Sequence, residues 1–203
     1  MTREEILSHV DHTLLKPEAT WPQIKVICDE AVENHTASIC INTCYVKQAV
    51  EYLAGRIPVC CVVGFPLGAM DTESKAFEAK KAIENGASEV DMVINIGRLK
   101  NKEYDAVRED IAAVKRAVGD KVLKVIIETC LLTDEEKSTA CADMEAYLGM
   151  GEDERDLMNE LDIWKVLSSP REMLYLSHAQ ANQAGEPLRA APGISAAPAL
   201  FFS

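Results

Sequence analysis

Short apolar runs alternate with amphipathic helical stretches along the first two thirds of this chain. Five runs have the length and the β-branched content of buried strands, and an apolar period typical of a helix follows each of them. The predicted strands cover residues 10–15, 37–41, 58–65, 89–95 and 122–129. This alternation is typical of parallel βα units, so we predict an α/β fold: either a doubly wound sheet or the first part of a (β/α)8 barrel.

Helix start and stop signals support the same division. Thr20 and Gln23 have the spacing of a capping box, and Asp71 is the expected N-cap of a later helix. Gly55 lies where a left-handed residue would end a helix, and Gly119 closes another. The predicted helices cover residues 21–34, 45–54, 71–84 and 104–118, and a fifth begins after Thr133, which forms a capping box with Glu136.

The alternation stops at about residue 142. We therefore divide the chain into residues 1–141, which carry the βα units, and residues 142–203, a tail that is partly helical and then rich in Ala and Pro. From Glu186 onward we expect no stable structure, because Pro187, Pro192 and Pro198 interrupt any helix or strand ladder.

The charge balance excludes some classes of partner. A net charge of -12 and a pI near 4.8 argue against binding to nucleic acid or to an anionic membrane, since both need clustered Lys and Arg. Glu4 and Glu5 lie where a signal peptide would have its apolar core, and no apolar run approaches the length of a membrane span. These features predict a cytoplasmic protein.

The seven cysteines lie in strand-like or helical apolar surroundings, so we predict reduced, buried thiols rather than disulfides. A zinc site would have to start from Cys40 and Cys44 with Cys60 and Cys61. No C-x-x-C occurs, and adjacent cysteines on a strand point to opposite faces, so we predict no metal site.

Two charged residues lie inside apolar strands. Asp91 interrupts "EVDMVIN" and Lys124 interrupts "VLKVIIE". A buried charge costs several kcal/mol or more unless it is paired, and an Asp and a Lys on neighbouring parallel strands can pair. The pair is either structural or part of an active site. Other polar candidates near strand ends are Asp11, His12, Cys40, Asn42, Asn95, Glu128, Thr129 and the loop "GFPLGAM".

Five ordered motifs carry a family resemblance. "VDHTLLKPEAT", "ASICIN", "VVGFPLGAM", "EVDMVINIGRLK" and "LKVIIETCLLTDEEK" resemble deoxyribose-phosphate aldolase over about residues 6–141. The resemblance implies a (β/α)8 TIM barrel, here with about five recognisable units. It also implies a class I aldolase without metal or cofactor, which reversibly cleaves 2-deoxyribose 5-phosphate to acetaldehyde and glyceraldehyde 3-phosphate through a lysine Schiff base in deoxyribonucleotide catabolism.

The resemblance also implies roles for particular residues. The proton-relaying aspartate of the family falls on Asp91, its fifth-strand active-site lysine on Lys124, and the cysteine beside its substrate pocket on Cys40. An amine must be neutral to attack a carbonyl, so a Schiff-base lysine needs its pKa lowered by burial and by a neighbouring ammonium. A carboxylate acting through water then moves protons.

The resemblance ends before the covalent lysine. The family's K-T-S-T-G and K-A-S-G-G-I-R motifs and its glycine-rich phosphate turns do not occur, and from residue 138 onward the sequence has one lysine, Lys165 in "LDIWKVLSS". Lys165 is either a substitute or an ordinary, partly exposed lysine. A frame-shifted or truncated gene is the explanation we favour; a divergent ending and a relative without the chemistry are the others. The alternative function is accordingly an inactive barrel fragment.

A parallel sheet of five βα units leaves two open edges. Exposed strand edges invite association, so we predict poor solubility or a homo-oligomer.

Overall fold

The computed structural model describes residues 2–140 and 200–202. Its strands are β1 (Val10–Leu14), β2 (Ser38–Asn42), β3 (Val59–Val63), β4 (Glu89–Val93), β5 (Val122–Ile126) and β6 (Leu200–Phe202). Its helices are α1 (Arg3–Leu7), α2 (Trp21–Asn34), α3 (Val46–Leu53), α4 (Thr72–Glu84), α5 (Ile96–Lys100), α6 (Tyr104–Val118) and α7 (134–140). Single 3₁₀ turns follow β2 at Thr43–Tyr45 and β5 at Thr129–Leu131.

The first five strands form one parallel sheet in the order of the chain. The full order is β5-β4-β3-β2-β1-β6, and each of β1 to β5 pairs in parallel with its neighbour in sequence. A doubly wound sheet reverses direction at a switch point, and no reversal occurs among these strands. The choice that the sequence left open is therefore decided in favour of the barrel type.

Curvature of the sheet supports the same conclusion. Flat strands are about 4.8 Å apart, so β1 and β5 would be about 19 Å from each other. The Nζ atom of Lys124 on β5 nevertheless lies 2.5 Å from Oδ2 of Asp11 on β1. The sheet must curl strongly around one face, as the wall of a barrel does.

The two faces of the sheet differ in chemistry. The outer face packs against the helices in the main apolar core, which contains Ile39, Cys61, Met92 and Leu123 among its strand residues. The opposite face, here called the inner face, carries a small buried cluster of Cys40, Cys60 and Val62 together with the charged residues described below. Successive side chains along a strand alternate between the two faces, so the apolar core residues and the inner-face residues lie on opposite sides of the sheet.

The predicted elements agree closely with the observed ones, and the two long helices α2 and α6 have the predicted bounds. Asp71 caps α4 by accepting from the Ser74 N–H at 2.8 Å, and the Thr20 N–H donates to Gln23 Oε1 at 2.8 Å. The left-handed cap of α3 is Ala54, one residue before the predicted Gly55. The short helices α1 and α5 were not predicted.

Most of the tail lies outside the described residues, including Lys165 and the predicted helical part. Its last residues are an exception to the expectation of no stable structure after Glu186, because β6 pairs antiparallel with Val10–His12 of β1. The predicted open edge at β1 is thus partly covered. Within the described residues β5 pairs with β4 alone, so its other edge has no strand partner. No described helix is long and apolar enough to cross a membrane.

Substitution of Gly68 tests how closely the loop after β3 packs against the chain at Ile94. Gly68 and Gly55 both have positive φ, +64° and +80°, where an L side chain costs about 1–2 kcal/mol. An added Cβ at Gly68 would lie 1.9 Å from the Ile94 carbonyl oxygen, whereas at Gly55 it would meet nothing within 4 Å. We expect Gly68→Ala to lower the urea midpoint clearly more than Gly55→Ala. Equal midpoints would contradict this close approach.

Candidate active site

Lys124 projects from β5 onto the inner face, where its ammonium contacts three carboxylates. Its ammonium nitrogen is 2.5 Å from Asp11 Oδ2, 2.9 Å from Glu89 Oε2 and 3.3 Å from Asp91 Oδ1. Asp91 and Lys124 are also register partners on β4 and β5. The predicted pairing of these two residues is confirmed, and the observed group is larger than a pair.

Asp11 anchors the group from the first strand. Its carboxylate is fully buried. Ser38 is its register partner on β2 and donates a hydrogen bond from Oγ to Asp11 Oδ1 at 2.6 Å. The sequence analysis placed Asp11 among the wider candidates and did not include Glu89. Glu89 lies two residues before Asp91 on β4, and side chains two residues apart on a strand share a face. This spacing was the sequence signal that could have identified Glu89.

Asp91 is 5% exposed and faces two thiols as well as the ammonium. Its Oδ1 is 3.2 Å from Cys60 Sγ, and its Oδ2 is 3.8 Å from Cys40 Sγ. Burial raises the pKa of Asp91 above its ordinary value, although Lys124 and the Cys60 hydrogen bond act in the other direction. A carboxyl group with a raised pKa is suited to take up and release protons.

For Lys124, the effect of the neighbouring groups on the pKa exceeds the effect of burial. Burial acts to lower the pKa of Lys124, but the nearby Cys60, Asp91 and Asp11 side chains and the hydrogen bond to Asp11 outweigh it, so this pKa lies well above its ordinary value. The side chain is therefore a cation at neutral pH. This argues against Lys124 as the attacking amine and suits it to the role of the neighbouring ammonium that lowers the pKa of another amine.

The cysteines are unsuited to nucleophilic attack. A hydrogen bond with Cys60 lowers the pKa of Cys40, but burial and the Asp91 charge raise it, and the net pKa is above its ordinary value. Four of the six described cysteines are buried, as predicted, but Cys44 is exposed and Cys130 is partly exposed, so the predicted burial is wrong for these two. The four-cysteine zinc arrangement considered from the sequence is not assembled, because Cys44 is exposed and Cys61 packs in the outer core.

Several other candidates have structural roles. His12 Nε2 lies 2.7 Å from Glu30 Oε2 on helix α2, and Asn95 caps α5 by accepting from the Arg98 N–H at 3.1 Å. Glu128 accepts from the Cys130 thiol at 2.9 Å in the turn after β5. None of these contacts joins the group around Lys124.

The "GFPLGAM" loop is held by two polar residues of helix α4. The Gly64 N–H donates to Glu78 Oε2 at 2.9 Å, and the buried Lys75 ammonium donates to the Gly68 carbonyl at 3.2 Å. The same ammonium donates to the Val93 carbonyl at 2.9 Å and contacts Asp110 at 2.5 Å. The sequence analysis missed Lys75, although its spacing from Ala79 and Ala82 places it on the buried side of α4.

Fold and inner face together define an α/β barrel-type chain whose curled sheet brings together one ammonium, three carboxylates and two thiols, of which Lys124 and Glu89 are partly exposed. The model of the DeoC/LacD family aldolase matches residues 6–153. The chain therefore belongs to the DeoC/LacD family of aldolases, and the resemblance found in the sequence is confirmed.

Individual relatives agree with this assignment. A deoxyribose-phosphate aldolase of Clostridium botulinum (strain Alaska E43 / Type E3) is 59% identical over 141 residues, which are 70% of this chain and 64% of the relative. A solved "putative deoxyribose-phosphate aldolase" from Coccidioides immitis is 43% identical, with a TM-score of 0.71 over 72% of this chain and 58% of that one. A tetrameric deoxyribose phosphate aldolase from Aeropyrum pernix is 28% identical, with a TM-score of 0.62 over 71% and 61%. The chain thus spans less than two thirds of the length of these relatives.

Proposed function

We propose that this chain is a deoxyribose-phosphate aldolase, which reversibly cleaves 2-deoxyribose 5-phosphate to acetaldehyde and glyceraldehyde 3-phosphate through a lysine Schiff base. The observation that carries the proposal is the contact between Asp91 and Lys124 on neighbouring strands of a family member. The relatives named deoxyribose-phosphate aldolase support the choice of substrate.

Each member of the inner-face group has a role in this proposal. Asp91, with its raised pKa, relays protons to and from the carbinolamine and enamine through water. Lys124 remains an ammonium and lowers the pKa of the attacking amine by like-charge repulsion. Asp11 and Glu89 hold Lys124 in place.

The attacking amine must be another lysine. Lys124 is the one lysine of the described residues within this group, and its pKa is raised. Lys165, the single lysine from residue 138 onward, is the remaining candidate. The alternative is a barrel fragment which makes no covalent adduct and acts, if at all, through protein contacts, because the family's K-T-S-T-G motif does not occur in the sequence.

Trapping of the Schiff base separates the two candidates. The chain is incubated with acetaldehyde, reduced with borohydride and analysed by intact and peptide mass spectrometry. The aldolase proposal predicts a net gain of C2H4 on Lys165, because an ethyl group replaces one hydrogen of the amine, and the loss of this adduct in Lys165→Ala but not in Lys121→Met. The absence of any adduct would leave the inactive fragment, and an adduct on Lys124 would contradict the cationic role given to that residue.

The same proposal implies a cellular location, a metabolic role and an oligomeric state. The chain would act in the cytoplasm in deoxyribonucleotide catabolism on a small phosphorylated sugar. A homo-oligomer is proposed as well, supported by the edge of β5 that has no strand partner among the described residues and by the tetrameric relative from Aeropyrum pernix.

A further inference from the structure

Two thiols that have no role in the proposed aldolase chemistry meet the Asp91 carboxylate on the inner face. Cys40 Sγ, Cys60 Sγ and a carboxylate oxygen of Asp91 all lie within 4.8 Å of one another. The Cys60 Sγ to Asp91 Oδ1 distance is 3.2 Å, and the Cys40 Sγ to Asp91 Oδ2 distance is 3.8 Å. All three residues are buried.

The separations of at most 4.8 Å between the three ligand atoms can be compared with the edges of a metal-binding tetrahedron. Zinc binds thiolate sulfur at about 2.3 Å and carboxylate oxygen at about 2.0–2.2 Å, which places neighbouring ligand atoms about 3.5–3.8 Å apart. For an ion to bind between them, the side chains would have to draw together and the Asp91 carboxylate would have to turn one oxygen toward both sulfurs. Three protein ligands leave a fourth tetrahedral position for water or another small ligand.

The strand register positions the three ligands before any ion arrives. Cys40 and Cys60 are register partners on β2 and β3, and Asp91 pairs with Val62, two residues beyond Cys60 on the same face. All three therefore project from neighbouring strands at the centre of one sheet. Ligands on rigid strands lose little conformational freedom on binding, which favours affinity.

The surrounding charge favours a cation. Asp11, Glu89 and Asp91 supply three carboxylates, and Lys124 is the single ammonium that contacts them among the described residues. If Asp91 turns to a metal ion, Lys124 keeps its closer contacts with Asp11 and Glu89 at 2.5 and 2.9 Å. The ammonium would therefore not be left without a partner.

We propose that Cys40, Cys60 and Asp91 form a binding site for a thiophilic divalent cation of the Zn²⁺ class, with one coordination position open. Binding converts the two thiols to thiolates and releases two protons, so the metal replaces protons and leaves the charge of the group unchanged. Affinity should therefore rise with pH. A bound ion would also occupy Asp91 and inhibit the aldolase; this consequence alone rests on the proposed function.

The test is a titration of the reduced chain with Co²⁺ or Cd²⁺, read by the thiolate-to-metal charge-transfer absorption. We expect one ion per chain, the absorption pattern of a tetrahedral Co²⁺ site, displacement by Zn²⁺ and tighter binding at higher pH. The band should be lost in Cys60→Ala and in Cys40→Ala, and weakened in Asp91→Asn. This readout needs no enzymatic activity, so its failure is distinct from failure of the proposed function.

Matched controls separate this site from the other thiols. Cys61→Ala removes an equally buried neighbour on the outer face, and Cys44→Ala removes an exposed thiol; both should keep the band. Circular dichroism checks that each variant remains folded. Asp91→Asn tests the carboxylate ligand in a chain that keeps both thiols. A wild-type chain without the band, or a Cys60→Ala variant that binds as tightly as Cys61→Ala, would overturn the proposal.

Discussion

Replacing Lys75 with methionine is expected to lower the free energy of unfolding by about 3–5 kcal/mol, because it leaves a buried carboxylate without its cation. Lys75 is fully buried on α4, and its ammonium is 2.5 Å from Asp110 Oδ2 on α6. The other oxygen of Asp110 is buried and has no hydrogen-bond partner among the described residues. Without the ammonium, both oxygens of Asp110 would be unsatisfied.

The loss extends beyond the ion pair. The same ammonium donates to the carbonyl of Gly68 in the loop after β3 and to the carbonyl of Val93 at the end of β4. Lys75→Met would leave both carbonyls without this donor. We therefore expect the loop after β3 to loosen, which hydrogen exchange of its amides would register.

Urea unfolding of matched variants measures the effect. Lys80→Met is on the same helix and is exposed, so it should change stability by less than about 0.5 kcal/mol. The double variant Lys75→Met with Asp110→Leu should recover much of the loss, since it replaces the pair by apolar groups. Equal stability of Lys75→Met and Lys80→Met would contradict the burial of this pair.

Replacing Lys124 with methionine is expected to destabilise the chain by about 3 kcal/mol at neutral pH, because Asp11, Glu89 and Asp91 would face one another without a cation. The pKa of Asp91, already raised, should rise further. In the variant, a proton on Asp91 should therefore take the place of the positive charge that Lys124 supplies in the wild-type chain.

The sign of the pH dependence follows from these pKa directions. A carboxyl group with a raised folded pKa contributes full stability below its unfolded pKa, about 3.9, and loses it as the pH rises through the folded pKa. The deficit of Lys124→Met should thus grow as the pH rises above about 3.9. The pKa of Lys124 in the wild-type chain is raised, so the lysine contribution stays complete until the pH exceeds about 10.4.

Denaturant midpoints over this pH range check the prediction. Lys121→Met removes an exposed lysine just before the same strand and should show no such trend. A deficit in Lys124→Met that stays constant or shrinks toward pH 8 would mean that the three carboxylates do not depend on this ammonium.

Much of the fold was predictable because its signals are local. Short, β-branched apolar runs marked the strands, the caps at Thr20 and Asp71 marked helix starts, and α2 and α6 were long enough to have clear bounds. The short helix α5 was missed because five residues are too few for a helical period to be visible. Asp91 and Lys124 were found because a charge inside an apolar strand is unusual wherever that strand lies.

The partners of these residues were not predictable in the same way. Periodicity tells which face of a strand a side chain takes but not which distant strand lies opposite. Asp11 is 113 residues from Lys124 in sequence and meets it because the sheet curls. Lys75 and Asp110 belong to separate helices that meet only through α4–α6 packing.

The sequence by itself determined the βα order, the family and the two charged strand residues, because each depends on residues close together in the chain or on ordered motifs. The tertiary structure decided between a barrel and a doubly wound sheet, placed three carboxylates around the Lys124 ammonium, and brought Cys40 and Cys60 to Asp91. These outcomes depend on strand order, sheet curvature and burial, which set distances and pKa values between residues far apart in sequence.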